Sequence, residues 1–142
     1  MTLPHDAFKP PNGTAIDLLL IDDEAAFSQV MSKRLALRGI RTTPVPSGSQ
    51  AVLTLRAQDF DLAILDLKME DMDGIEVLKI FKKMVPSMPV IMLTGHGCDH
   101  SAAQGLRHGA SEYLTKPCLL EELVERIRHW ARQRRSHGHP PH

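Results

Sequence analysis

Short apolar runs alternate with amphipathic stretches five times along this chain, and most of the runs stop abruptly at a polar residue. Ile16–Ile21 (I-D-L-L-L-I) reads as a strand ending at Asp22-Asp23, and Leu62–Leu65 (L-A-I-L) as a strand ending at Asp66. Val90–Leu93 ends at Thr94, and Ser111–Thr115 ends at Lys116-Pro117. Apolar runs without polar alternation suit central strands covered on both faces. Ile40–Pro46 is extended but contains Pro44, which cannot donate to a ladder, so this strand is expected at a sheet edge.

The intervening stretches carry helical spacing. Phe27, Val30, Met31 and Leu35 recur on one face across Glu24–Arg38, and Gly39 supplies a stop. Ser47–Gln58 forms a second helix, and Ile75–Val85 a third after the Asp73-Gly74 turn. Asp99–His108 is a weaker helix, because Gly105 inside it costs ~1 kcal/mol relative to Ala. Leu120, Leu123, Val124, Ile127 and Ala131 mark the last helix. Five βα units imply a parallel sheet with helices on both faces. Five strands cannot close an eight-stranded barrel, which leaves an open doubly wound sheet. Its binding crevice lies beyond the carboxyl ends of the strands, where the strand order switches.

A chain of 142 residues, 42% apolar and 24% charged, has the composition of one globular domain. Seventeen basic and seventeen acidic residues cancel, so no global field favours nucleic acid or an anionic membrane. One Trp, one Tyr and four Phe are too few for a base-stacking platform. No apolar run approaches the ~18 residues of a membrane span, and no signal peptide is visible. Cys98 and Cys118 lack metal-binding spacing and read as free thiols, which suits a cytoplasmic location. Residues 1–14 read as a disordered leader, 15–132 as the domain, and 133–142 as a disordered tail or the start of a linker. The arginines near that end read as a solvated helix face, so direct DNA binding is not expected.

The strand ends gather Asp22, Asp23, Asp66, Thr94 and Lys116. Three neighbouring carboxylates repel one another, and a hard divalent cation such as Mg²⁺ relieves that repulsion with oxygen ligands. A carboxylate beside Mg²⁺ and a Lys can attack a phosphoryl group, because the cations neutralise charge on the transferring oxygens. A Thr hydroxyl can donate to a phosphoryl oxygen. This is the chemistry of a phosphoryl-accepting site.

The runs L-L-I-D-D-E (Leu19–Glu24), I-L-D-L-K-M-E-D-M-D-G (Ile64–Gly74), M-L-T-G-H-G (Met92–Gly97) and Y-L-T-K-P (Tyr113–Pro117) together resemble the receiver domain of two-component response regulators. The resemblance spans roughly Ala15 to Arg132. It implies a CheY-like, flavodoxin-like five-stranded parallel sheet of order 2-1-3-4-5 with five helices. It implies Asp66 as phosphoacceptor, and Mg²⁺ held by Asp22, Asp23, Asp66 and the backbone carbonyl of Lys68. Thr94 and Lys116 resemble the phosphoryl-sensing pair, Thr94 and Tyr113 the switch, and Lys116-Pro117 the site of a cis peptide. The implied partners are a sensor histidine kinase or phosphotransfer protein, with a phosphorylation-dependent homodimer possible. The implied output surface is the face of the fourth helix, fifth strand and last helix.

One departure is Glu70, where the family often has Pro; Glu70, Asp71 and Asp73 are expected to add negative charge near the site. Lys68 and His96 are expected to flank the path of attacking water and slow loss of phosphate. A haloacid dehalogenase-type phosphatase would need a second acid where Lys68 stands, and a flavodoxin a hydroxyl-rich loop where Asp22-Asp23-Glu24 stands. Both fit less well than a non-enzymatic phosphoacceptor. Whether the chain stands alone or is the receiver of a larger regulator is left open by its residues.

Overall fold

The structure is a computed structural model, and it describes residues 15–67, 69, 71–95 and 99–136, leaving aside the side chains of 99–101 and 136. The described residues form strands β1 (Ile16–Ile21), β2 (Ile40–Val45), β3 (Leu62–Leu65), β4 (Val90–Thr94) and β5 (Glu112–Thr115). Between and after them come helices α1 (Ala25–Ala36), α2 (Gly48–Ala57), α3 (Gly74–Met84), α4 (Asp99–Arg107) and α5 (Leu120–Ser136). All strand pairs are parallel, in the order β2-β1-β3-β4-β5. This is the flavodoxin-like order expected from the sequence, with Pro44 on the β2 edge opposite Leu20.

Side chains of successive strand residues point to opposite faces, and both faces are buried. Leu19, Ile21, Ala63, Leu65, Val90 and Met92 join one apolar layer with Leu55 of α2 and Leu78 and Phe81 of α3. Leu18, Leu20, Ile64, Ile91 and Leu93 join a second layer with Leu35 of α1 and Leu123 and Ile127 of α5. Burial on two sides explains why the central strands lack polar alternation. Pro44 removes one ladder donor, and only an edge strand tolerates that loss.

Two expectations are corrected. Val30 is 48% exposed; α1 faces the sheet with Phe27, Ser28, Met31 and Leu35 instead. Val30 precedes Met31 by one residue and so lies about 100° round the helix from it. The stretch from residue 133, expected as a disordered tail or the start of a linker, is helical as far as Ser136. Its end is tied down. Arg135 donates to both oxygens of Asp61, at 3.2 and 2.8 Å, and to the Ala15 carbonyl. Arg134 donates to the Phe60 carbonyl. Asp61 also accepts from the Asp17 amide at 2.8 Å, while Arg41 grips Asp17 from β2. Arginines expected to lie in solvent therefore fasten α5 across the amino-terminal edge of the sheet. No helix among the described residues is long and apolar enough to cross a membrane.

Candidate functional site

The chain leaves β2 at one edge and crosses β1 to build β3, so the strand order reverses between β1 and β3. Asp22 and Asp66 follow the carboxyl ends of those two strands. Their backbones extend the ladder: the Asp22 amide donates to the Val45 carbonyl at 3.2 Å, and the Asp66 amide to the Ile21 carbonyl at 3.0 Å. The local backbone is therefore fixed by the sheet, which gives both carboxylates defined positions. Asp22 is 3% exposed and Asp66 5%, whereas Asp23 faces solvent. Ligand oxygens of Asp22, Asp23 and Asp66 lie within 4.8 Å of one another. Three oxygen donors at this spacing fit a hard divalent cation such as Mg²⁺.

Lys116 arrives from the end of β5. Its amide donates to the Thr94 carbonyl at 2.9 Å, and the Lys116-Pro117 peptide is cis. Nζ lies 2.6 Å from Asp22 Oδ2, 2.7 Å from Glu24 Oε1 and 4.0 Å from Asp66 Oδ2. It also sits 4.2 Å from the centre of the Phe27 ring. Burial pushes the Asp22 carboxyl above its ordinary pKa, against the bonds it accepts from Lys116 and the Glu24 amide; the Asp66 charge pushes the same way as burial. Burial alone would lower the Lys116 pKa, but its bonds to Asp22 and Glu24 outweigh that and raise it. Burial thus resists charge on Asp22 while the surrounding carboxylates favour it on Lys116, and a divalent cation would balance the excess of carboxylates.

Thr94 ends β4, fully buried. Tyr113 pairs with Met92 across β4 and β5, and its half-buried ring packs on the layer formed by α2 and α3. The structure thus brings Asp22, Asp23, Asp66 and Lys116 together at the carboxyl ends of the strands, and ends β4 there with Thr94. Lys68, Glu70 and His96 lie outside the described residues.

The acids after Asp66 do something the sequence did not suggest. Asp71 accepts from the Gly48 amide at 3.1 Å, the Ser49 amide at 3.1 Å and the Ser49 hydroxyl at 2.8 Å. The Ser49 hydroxyl and then these amides hold its carboxyl below the ordinary pKa. Asp71 therefore caps α2, satisfying amides that have no partner within the helix. Asp73 likewise caps α3 through the Ile75 amide. Besides carrying negative charge, each of these two acids is committed to a helix end. Gly74 comes close to the backbone behind Asp66. A Cβ there would stand 2.6 Å from Leu67 Cα and 2.7 Å from the Asp66 carbonyl oxygen. The contacts of Glu24 and Phe27 with Lys116 were also not foreseen, since nothing in the β1–α1 run tells which side chain reaches it.

The response regulator receiver domain model matches residues 18–128. The transcriptional regulatory protein ZraR of Klebsiella oxytoca is 35% identical over 112 residues, covering 79% of this chain and 25% of that protein. The probable transcriptional regulatory protein TcrX of Mycobacterium tuberculosis is 33% identical over 117 residues, covering 82% of this chain and 50% of that one. The chain thus spans between a quarter and half of the length of these relatives. Among solved structures, a CheY-like response regulator receiver domain protein from Methanospirillum hungatei superposes with a TM-score of 0.84 at 26% identity, covering 88% of this chain and 100% of that one. With a match that runs from β1 into α5, the chain belongs to the response regulator receiver family.

Proposed function

We propose that Asp66 is the residue that accepts the phosphoryl group, from a sensor histidine kinase or a phosphotransfer protein. A carboxylate oxygen of Asp66 bonds to phosphorus as the bond from phosphorus to the donor's histidine nitrogen breaks. Asp22, Asp23 and Asp66, with the backbone carbonyl of Lys68, would hold Mg²⁺, which supplies charge neutralisation on the transferring oxygens. Lys116 donates to a phosphoryl oxygen, and Thr94 donates to another. The observation that carries this reading is the meeting of three carboxylates within 4.8 Å beside one ammonium.

The chain acts as a signalling switch rather than as a catalyst of an external substrate; it promotes only its own phosphorylation and dephosphorylation. The added phosphoryl group brings about −1.5 to −2 charges at pH 7. Thr94 moves toward it, and Tyr113 follows into the space released. The face of α4, β5 and α5 then changes its contacts with a partner or a second copy, in the cytoplasm. Direct DNA contact is no part of this reading.

The test is uptake of label from acetyl phosphate. Wild type should take up label in Mg²⁺ and lose that ability in EDTA, and Asp66→Asn should take up none. Uptake that is indifferent to EDTA would overturn the metal assignment.

A further inference from the structure

Three acids surround Lys116, and the proposed phosphoacceptor is the most distant of them, at 4.0 Å. An ammonium group has three donors. Two are spent on Asp22 and Glu24, at 2.6 and 2.7 Å, and the Phe27 ring takes another side of the charge at 4.2 Å. The two acids hold Lys116 in different ways. Asp22 is fixed: its side chain is 2% exposed and its other oxygen accepts from the Glu24 amide. Glu24 is 62% exposed and stands just before α1, where its side chain makes no helix cap. Its carboxylate lies outside both apolar layers, so it can be replaced without disturbing them.

We propose that Glu24 is a positioning residue that draws Lys116 away from Asp66 in the resting state and must release it when a phosphoryl group arrives. This rests on the assignment of Asp66 as phosphoacceptor. At 4.0 Å from Asp66 Oδ2 the Lys116 ammonium is beyond hydrogen-bond reach, so it has to move to serve an oxygen bound there; Glu24 pulls against that movement, whereas Asp22, itself beside Asp66, can keep its bond while Lys116 turns. The Glu24 contact therefore opposes the phosphorylated state. Its strength is that of an ion pair with one exposed partner, so its removal should favour that state about two- to fivefold.

The test uses beryllofluoride, a phosphoryl mimic that does not hydrolyse, titrated into the full chain at saturating Mg²⁺. Glu24→Gln should bind it about two- to fivefold more tightly than wild type. Glu24→Asp, which keeps the charge but shortens the reach, should fall between the two. The same Glu24→Gln change made in a Lys116→Ala background should have no effect, because Glu24 acts through Lys116. Equal affinities for wild type and Glu24→Gln would overturn the proposal. So would an undiminished gain in the Lys116→Ala background, which would assign the effect to net charge alone. A wild-type chain that binds no beryllofluoride would instead overturn the phosphoacceptor assignment of Asp66.

Discussion

Burial keeps the Asp22 carboxyl above its ordinary pKa although Lys116 donates to it. An acid whose pKa is raised by folding adds stability below its unfolded pKa, and that stability is lost as pH rises through the folded value. The ionised form of Asp22 therefore works against folding. Asp22→Asn should raise the melting temperature in EDTA by a few degrees, about 1 kcal/mol. The gain should shrink as acid protonates Asp22 itself. Mg²⁺ should raise the melting temperature of wild type, by binding the folded state, far more than that of the variant. A variant less stable than wild type in EDTA would mean that the Lys116 bond outweighs burial. Gly74 offers the opposite case. A methyl group 2.6–2.8 Å from the backbone of Asp66 and Leu67 forces that backbone to move. Gly74→Ala should cost about 1–3 kcal/mol in thermal or denaturant melts and slow labelling at Asp66. An unchanged melt with unchanged labelling would show that the loop yields freely.

Among the elements, α5 is held at its middle and its far end, and α4 carries Gly105 within it. Glu112 Oε1 on β5 accepts from Arg126 and from the Trp130 indole, each at 2.8 Å, which ties α5 to the strand bearing Tyr113. Arg135 fastens the far end to Asp61 through a partly buried ion pair. Arg135→Ala should cost about 1 kcal/mol, and amide exchange should speed up in the last turn of α5. Protection unchanged there would mean that the clasp contributes nothing. In α4 a Cβ on Gly105 would meet Met92 Cγ at 3.5 Å, an ordinary contact. Gly105→Ala should therefore fit and stabilise by about 0.4–1 kcal/mol. If α4 moves on phosphorylation, this stiffer helix should respond less. The single tryptophan, Trp130, lies beside that face and reports the response as a fluorescence change. An equal change in both proteins would place the motion outside α4.

Across the whole molecule, what the sequence revealed was whatever depends on one strand and its end. A run such as L-A-I-L stopping at Asp66 marks a strand buried on both sides and a charge at its exit, and Pro44 marks an edge. These features are local, so the sheet and its polar rim were legible. The contacts of Glu24 and Asp71 were not. Each reaches a residue on a separate element, Lys116 or Ser49, along a path set by how the loops cross the top of the sheet. The length of α5 was hidden for the same reason: arginines that read as solvent-facing find Asp61 and Phe60 only once the strands are assembled. The central claim is that this assembly makes Asp66 alone the acceptor. Chemical reduction with borohydride after labelling by acetyl phosphate converts an acyl phosphate to an alcohol, and peptide mass spectrometry locates it. The modification should fall on Asp66 and require Mg²⁺; modification at Asp22, Asp23 or elsewhere, or its survival in Asp66→Asn, would contradict the account.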